Sequence, residues 1–507
     1  MLNAASWFVD RNVAEGRGRS PAFHCEGRTL TYADVQELVS RSGNALLELG
    51  IQREDRVALL CHDAPEFLGA LWGAIKIGAV PVPINTFLKP EEWLYCLDDS
   101  RARVLVISAP LVEPAAAALE RAAHLRHVLV AGGPAGPHLS YEDRCARAKT
   151  DLVAAATSRD DPAFWLYSSG STGAPKAAVH LQRDMVVCSE TFARHVLGIR
   201  STDTVFSAAK LFFAYGLGNS GYFPASVGAQ CVLHPQRMTP ALAFEVLTRH
   251  RPTLFFAGPA LYAAMLALED TPVREDLASL RLCVSAGESL PADIFLRWKD
   301  RYGVEIIDGI GTTECLHMFI ANRPGAVKPG SSGQPVPGYD AAIVDERGAP
   351  VAPGEIGNLR IKGDSIMSGY WNQPEKTSAA LRGGWIETGD KYYQDADGYF
   401  WHCGRSDDML KVKGAWVSPV EVEATLIQHP ALLQAAVVGH KDAEGLIKPK
   451  AFVVLKDPSL ASEALAAELM MFARERLPPY KCPRWVEFRT ELPMTATGKI
   501  QRFKLRD

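Results

Sequence analysis

YSSGSTGAPKAAVH, residues 167–180, decides how the chain is read. Apolar residues precede it (AFWLY, residues 163–167) and close it (AAVH, residues 177–180), so the loop is expected to join two strands. Gly170 and Gly173 permit backbone angles that other residues resist. Ser168, Ser169, Ser171 and Thr172 add hydroxyl donors, and Lys176 adds a positive charge. Backbone N–H groups freed in such a turn make an anion cradle, so the stretch predicts a phosphate-binding loop. It differs from the GxxxxGK[ST] loop: Pro175 stands where that pattern has its second glycine, and Ala177 follows the lysine. On these residues alone a flexible Ser/Gly surface loop stays open as the alternative.

Outward from the loop, strand and helix patterns alternate. Residues 32–49 carry helical periodicity and stop at Gly50, and RVALL from Arg56 is a short buried strand. A helix over residues 67–77 leads to the strand AVPVPI, and a helix over residues 91–99 leads to the strand RVLVI. Beyond the loop, DTVFSAA, CVLH, TLFFAG and LRLCVSAGE read as strands separated by helical stretches. Such alternation predicts an α/β fold of stacked layers with largely parallel sheets. Near Gly330 turn residues crowd between short alternating apolar runs, which predicts a β-rich, antiparallel part over about residues 330–404. The remainder, residues 405–507, reads as a compact α+β unit entered through a linker at residues 404–408.

The chain has 507 residues, more than one hydrophobic core usually supports, so residues 1–404 and 405–507 are expected to be separate domains. Its net charge of −4 gives no basic excess for nucleic acid. The N-terminus lacks a positive start followed by a long apolar run, so no secretory signal is expected. The nearest approach to a membrane span, residues 67–84, is broken by Lys76, several glycines and two prolines. The ten cysteines are scattered without a CxxC pair, which argues against a disulfide framework or structural zinc. A cytoplasmic protein with reduced thiols, no membrane partner and an open oligomeric state is the expectation, and Cys315 is expected to be packing.

Four further motifs accompany the loop: GIGTTE from Gly309, TGD at residues 388–390, GRSDDMLKVKGAWVSPVEVE from Gly404, and PMTATGKIQR from Pro493. Together the five resemble, in order and spacing, those of adenylate-forming enzymes: acyl-CoA synthetases, peptide-synthetase adenylation domains and luciferase. The resemblance covers nearly the whole chain. It implies a large N-terminal domain, a small mobile C-terminal domain with its hinge at Asp407, and ATP, Mg2+ and coenzyme A as reactants. It implies ATP binding by Ser168, Ser169, Gly170, Ser171, Thr172, Gly173 and Lys176, by Gly287 and Glu288 of SAGES, and by Asp308, Gly309, Ile310, Thr313, Asp390 and Arg405. Asp390 would take the ribose hydroxyls, and Glu314 would be the magnesium ligand, since magnesium takes few carboxylates plus substrate phosphates. Ile310 stands where many relatives stack an aromatic residue on adenine.

The chemistry explains the need for these residue types. A carboxylate must attack the α-phosphorus of ATP, and both partners are anions. The resemblance gives Lys499 the role of bringing a cation to both, a placement worth roughly 3–4 kcal/mol. Thr313 and Glu314 complete the adenylation site. After rotation the segment from Lys411 to Trp416 would face the adenylate, with Lys411 assisting and Gly414 and Trp416 lining the coenzyme A channel. The acyl pocket is expected from Phe213, Ala214, Tyr215, Gly216, Gly311 and His317. Phe213 stands near where amino-acid-activating relatives commonly carry an acid for the amine, which disfavours amino acids. A small Ala214 beside Tyr215 suits a flat ring. With LNAASWF, FFAYGLGN and GTTECLHMFIANRPG, the chain looks most like benzoate-type CoA ligases, so a small aromatic acid (benzoate, 2-aminobenzoate or a hydroxybenzoate) is the expected substrate. Lys210, where a proline is common, is a departure. A carrier-protein-loading enzyme, a medium-chain acyl-CoA synthetase, a luciferase-like oxygenase and a non-catalytic binder are the alternatives.

Overall fold

The structure, a computed structural model, describes residues 1–168, 175–412, 415–442, 444–494 and 500–506. Ser169, Gly170, Ser171, Thr172, Gly173, Gly414 and Lys499 therefore lie outside the described residues.

Two sheets carry the α/β part. The first runs Val80–Pro83, Arg56–Leu60, Val104–Ser108, His127–Ala131, Leu139–Ser140 in space, and every pairing in it is parallel. The second has nine strands, parallel through the centre from Pro21–Cys25 to Ile306–Gly311, with antiparallel pairs at both edges. Parallel strands need crossovers, which the alternating helices supply. The helix Tyr32–Glu48 starts where Thr31 accepts from the Asp34 amide and Asp34 returns the bond to the Thr31 amide, a reciprocal cap. It packs on Pro65–Lys76, which is buried along nearly its whole length because its residues are apolar on every face. Its one lysine, Lys76, is buried and neutralised by Asp10 at 2.8 Å.

The glycine-serine stretch does connect two strands. Pro162–Ser168 and Lys176–Leu181 form an antiparallel pair with Ser168 opposite Lys176, and Gly369–Tyr370 adds a third strand beside Lys176–Leu181. The turn-rich region beyond Gly330 forms an antiparallel sheet of Tyr339–Val344, Gly357–Gly363, Trp385–Gln394, Leu381–Arg382 and Phe400–Arg405. After Arg405 the strands belong to other sheets: the hairpin Leu410–Val412 with Ala415–Val417, and the sheet of Leu432–Lys441, Ile447–Leu455 and Trp485–Phe488. The helices Pro419–Leu426 and Glu463–Arg474 cover this last sheet and share an apolar core with it. Among the described residues no helix is long and apolar enough to cross a membrane.

Candidate active site

Strand ends and turns from distant parts of the chain meet at one carboxylate. Glu314 sits in a short 3-10 turn, Thr313–Cys315, whose start is fixed by the Thr312 hydroxyl accepting from the Cys315 amide at 3.2 Å. The turn is pinned on a second side by buried His180, which reaches the Thr313 carbonyl at 2.8 Å and the Asp184 carboxylate at 2.8 Å. Ser168, the last described residue before the glycine-serine turn, donates to Glu314 Oε1 at 3.2 Å. Lys176, the second strand's first residue, lies 3.6 Å from the same oxygen. Between them stands Tyr370, whose hydroxyl accepts from Lys176 Nζ at 2.6 Å and donates to Glu314 Oε1 at 2.7 Å. Burial, then the Glu314 carboxylate, raises the phenol's pKa, so the hydroxyl stays a donor.

The other arm of the turn leads to a ring cluster. Leu316 takes a left-handed backbone (φ 69°), which swings the chain so that His317 points inward. His317 Nε2 lies 3.2 Å from Asn219 Oδ1, and its ring packs against Phe223, Phe192 and Tyr215 with centroids 4.5, 5.1 and 5.5 Å away. Burial drops its pKa to about 3, so the imidazole is neutral at physiological pH. Two glycines allow this approach. A Cβ on Gly218 would meet His317 Cδ2 at 2.5 Å, and one on Gly311 would meet the His317 carbonyl oxygen at 2.6 Å. The Tyr215 hydroxyl donates to the Val284 carbonyl at 3.1 Å, so this ring is fixed at both ends. Leu211 and Phe212 are core, whereas Phe213, Ala214 and Tyr215 are only half-buried.

The TGD motif and the segment entering the C-terminal part are neighbours in the sheet: Asp390 pairs with Arg405 across the strands. Arg405 Nη1 donates to Asp390 Oδ1 at 3.2 Å and to the Thr388 carbonyl at 2.9 Å. His402 lies on the other side, with Nε2 3.7 Å from Asp390 Oδ1 and Nδ1 2.9 Å from the Ser289 hydroxyl of the SAGES loop. Asp308 is fully buried and accepts from the Leu290 amide at 3.2 Å, and burial raises its pKa to about 8. Gly309 and Ile310 follow it in the strand and pair with Ala321 and Ile320. Gly287 and Glu288 are exposed.

Among the described residues, Asp407, Lys411 and Trp416 make no hydrogen bond or ion pair to Glu314. Asp407 is exposed, and its carbonyl accepts from Arg506; it is Asp408 that pairs with Arg502, at 3.4 Å, and with Arg506. Trp416 lies under Lys391 and Lys411, with ammonium-to-ring distances of 5.2 and 5.5 Å. Among the described residues no contact joins Lys411 or Trp416 to Glu314.

Several contributors escaped the sequence reading. Tyr370, His180, His402 and Asn219 reach Glu314, Thr313, Ser289 and His317 through contacts between residues 56, 133, 113 and 98 positions apart. His180 is the last residue of the quoted loop and Asn219 the last of FFAYGLGN, so both polar residues stood in stretches already singled out. Lys210, the departure, is buried: it donates to the His234 and Gln236 carbonyls, each at 2.6 Å, and lies 3.8 Å from Asp63. It is an anchor of the loop that carries Phe213 to Tyr215.

A single carboxylate whose partners cluster on one oxygen suits a metal that draws its other ligands from substrate phosphates. Among the described residues no group of three or more His, Cys, Asp or Glu could hold a metal by itself. The strands flanking the glycine-serine turn, the acidic turn at Glu314 and the Asp390–Arg405 pair are features of a nucleotide-activating enzyme. The chain belongs to the AMP-binding enzyme family: the family model matches residues 10–371, and the model of the family's C-terminal domain matches residues 421–499. A benzoate–CoA ligase of Thauera aromatica is 50% identical over 99% of this chain and 95% of its own length. Among solved structures, an anthranilate CoA ligase in complex with anthranoyl-AMP is 46% identical with a TM-score of 0.95, covering 99% of this chain and 96% of that one. A benzoate CoA ligase from Burkholderia xenovorans LB400 is 45% identical with a TM-score of 0.94, covering 100% of both chains.

Proposed function

We propose that the protein is an ATP-dependent aryl-CoA ligase that activates benzoate or a small substituted benzoate as its adenylate and passes the acyl group to coenzyme A. The observation that carries this reading is the single turn from Glu314 to His317. One end holds a carboxylate among phosphate-loop residues; the other holds a neutral imidazole in an aromatic cluster. Nucleotide and aromatic acid would thus meet across three residues of backbone.

The acid's ring would lie against Tyr215 and the His317 cluster, with Ala214, Gly216 and Gly311 keeping the wall thin and Phe213 at the entrance. Flat rings gain more from such aromatic walls than flexible chains do. A neutral His317 offers a hydrogen bond without attracting the carboxylate away from the phosphate. Asp390 would accept from the ribose hydroxyls while Arg405 holds it in place. The glycine-serine turn and Lys176 would bind the phosphates, with Gly287, Glu288, Asp308, Gly309, Ile310 and Thr313 around the base and α-phosphate. Glu314 would hold Mg2+, which screens phosphate charge when bound. The acid's oxygen attacks the α-phosphorus, the bond to the bridging oxygen breaks and pyrophosphate leaves. Lys499 would sit between the two anions, where one donor is worth roughly a thousandfold in rate. The C-terminal domain, residues 405–507, would then turn about Asp407, bringing Lys411, Gly414 and Trp416 to the adenylate. The thiol of coenzyme A loses its proton, attacks the acyl carbon and displaces AMP.

All ten cysteines are free and buried, which suits a reducing compartment, and a cytoplasmic location is part of the reading. The test is a panel of benzoate, 2-aminobenzoate, 3- and 4-hydroxybenzoate and medium-chain fatty acids, scored for AMP release with coenzyme A or a purified carrier protein as acceptor. Benzoate-class acids with coenzyme A should dominate. A stronger signal from the fatty acids, or from the carrier, would replace this reading.

A further inference from the structure

Every hydrogen bond and ion pair to the Glu314 carboxylate among the described residues goes to Oε1. Ser168 donates from 3.2 Å and Tyr370 from 2.7 Å, and Lys176 lies 3.6 Å away. The direction of the Tyr370 bonds is fixed by chemistry. An ammonium can only donate, so the phenolic oxygen accepts from Lys176 at 2.6 Å and its single hydrogen goes to Glu314. Lys176 also lies over the Tyr370 ring, 4.1 Å from its centroid, and the Tyr370 amide is held by the Thr377 hydroxyl at 2.9 Å. The phenol is therefore anchored through its backbone and shared between a cation and a carboxylate.

We infer that Tyr370 is a positioning residue for the metal: it holds Glu314 Oε1 so that Oε2 alone is presented to the cation that arrives with ATP. This rests on Glu314 being the metal ligand. Lys176 is the partner free to leave, because phosphates give an ammonium a stronger acceptor than a phenol does. Tyr370 has no such reason to leave: its backbone is paired in the strand Gly369–Tyr370, and its one hydrogen already goes to a carboxylate. When Lys176 turns to the phosphates, Glu314 loses its cation and keeps its phenol, which leaves a carboxylate of fixed orientation and restored charge. Partners that orient a metal's ligand typically account for 10–100-fold in metal affinity.

The test uses Mn2+ as the spin probe and an ATP analogue with a methylene between its α and β phosphorus atoms. Tyr370→Phe keeps the ring and removes the hydroxyl. It should raise the Mn2+ concentration for half-saturation about tenfold and broaden the bound-metal spectrum. Analogue binding without metal should change by less than about twofold, since the phenol touches no phosphate in this account. Lys176→Met should do the reverse, weakening the analogue while metal half-saturation stays within about twofold. Near-ultraviolet circular dichroism and the melting temperature verify that each variant is folded. Glu314→Gln separates the two layers. If it binds Mn2+ as the parent does, the metal reading fails and the inference with it. If it loses Mn2+ while Tyr370→Phe does not, or if Lys176→Met costs as much metal affinity as Tyr370→Phe should, the inference alone is overturned.

Discussion

His317 is an imidazole kept uncharged by its surroundings, and that state has a cost that depends on pH. Its folded pKa of about 3 lies below the ordinary 6.5. Between those values the unfolded chain takes up a proton that the folded chain refuses. Stability is therefore lost as pH falls from about 6.5 toward 3, at about 1.4 kcal/mol per pH unit. Asp63 and Asp308 work in the opposite direction. Burial raises their folded pKa values to about 6 and about 8, so their contribution is lost as pH rises from the ordinary carboxylate range through those values. A comparison of His317→Phe with the parent cancels both acids. The parent's melting temperature should fall relative to the variant's as the buffer moves from pH 7 to pH 4.5; a constant gap between the two would contradict a neutral buried ring. Gly218→Ala tests the same ring from outside. The added methyl would stand 2.5 Å from His317 Cδ2, so the imidazole must move. Overpacking of this kind costs about 1–3 kcal/mol. A KM for benzoate raised by about tenfold, with the KM for ATP little changed, is the expected steady-state result.

The loop from Ala208 to Gly216 is an element whose shape comes from one buried cation. Lys210 ties it to the strand-end carbonyls of His234 and Gln236, and Asp63 accepts from the Leu211 amide at 3.0 Å while facing Lys210 at 3.8 Å. Lys210→Met removes the cation, which leaves the two buried carbonyls without their donor and the Asp63 carboxylate without its countercharge. Breaking a buried pair this way costs roughly 3–5 kcal/mol. The melting temperature should drop, and KM for the acid should rise more than kcat falls, because Phe213 to Tyr215 ride on this loop. Asp63→Asn in the Lys210→Met background should recover part of the stability. If both single variants and the double variant melt together with the parent, the anchor has no energetic role.

The contrast between this loop and the phosphate hairpin shows what a sequence makes legible. The hairpin was readable because apolar strands flank glycines and hydroxyls in one continuous run, and the alternating helices and strands announced the parallel layers in the same local way. The parts of the site built by tertiary pairing carried no such local mark. Tyr370 lies in GYW, a plain strand end until Glu314 and Lys176 are placed beside it. His402 was one polar residue in a strand until its partners, Ser289 and Asp390, came into contact. Lys210 looked like a departure because proline and lysine differ in sequence, while its work, satisfying buried carbonyls, exists only in three dimensions.

At the scale of the whole molecule the question is whether one small domain serves two reactions in turn. In the arrangement seen, Arg502 is half-buried between Glu423, at 2.7 Å, and Asp408, at 3.4 Å. Lys499 is three positions earlier in the chain, and the proposed mechanism assigns it to adenylation. Trp416, by contrast, lies against Lys391 rather than Glu314. With Lys499 proposed for adenylation and Gly414 for the coenzyme A step, a domain that kept one position could not serve both at the same adenylate. Lys499→Ala should therefore lower acid-dependent ATP–pyrophosphate exchange by roughly a thousandfold, the value of one lost transition-state donor, while thioester formation from supplied benzoyl-adenylate stays within about threefold. Gly414→Leu should invert the pattern, because in the proposed coenzyme A step an added side chain at this position would block the thiol and leave the phosphate chemistry untouched. Rapid-quench measurement of each half-reaction separates them. Two variants that each lose both half-reactions in equal measure would mean that the C-terminal domain keeps one position throughout, and the second chemistry would then need residues other than Lys411, Gly414 and Trp416.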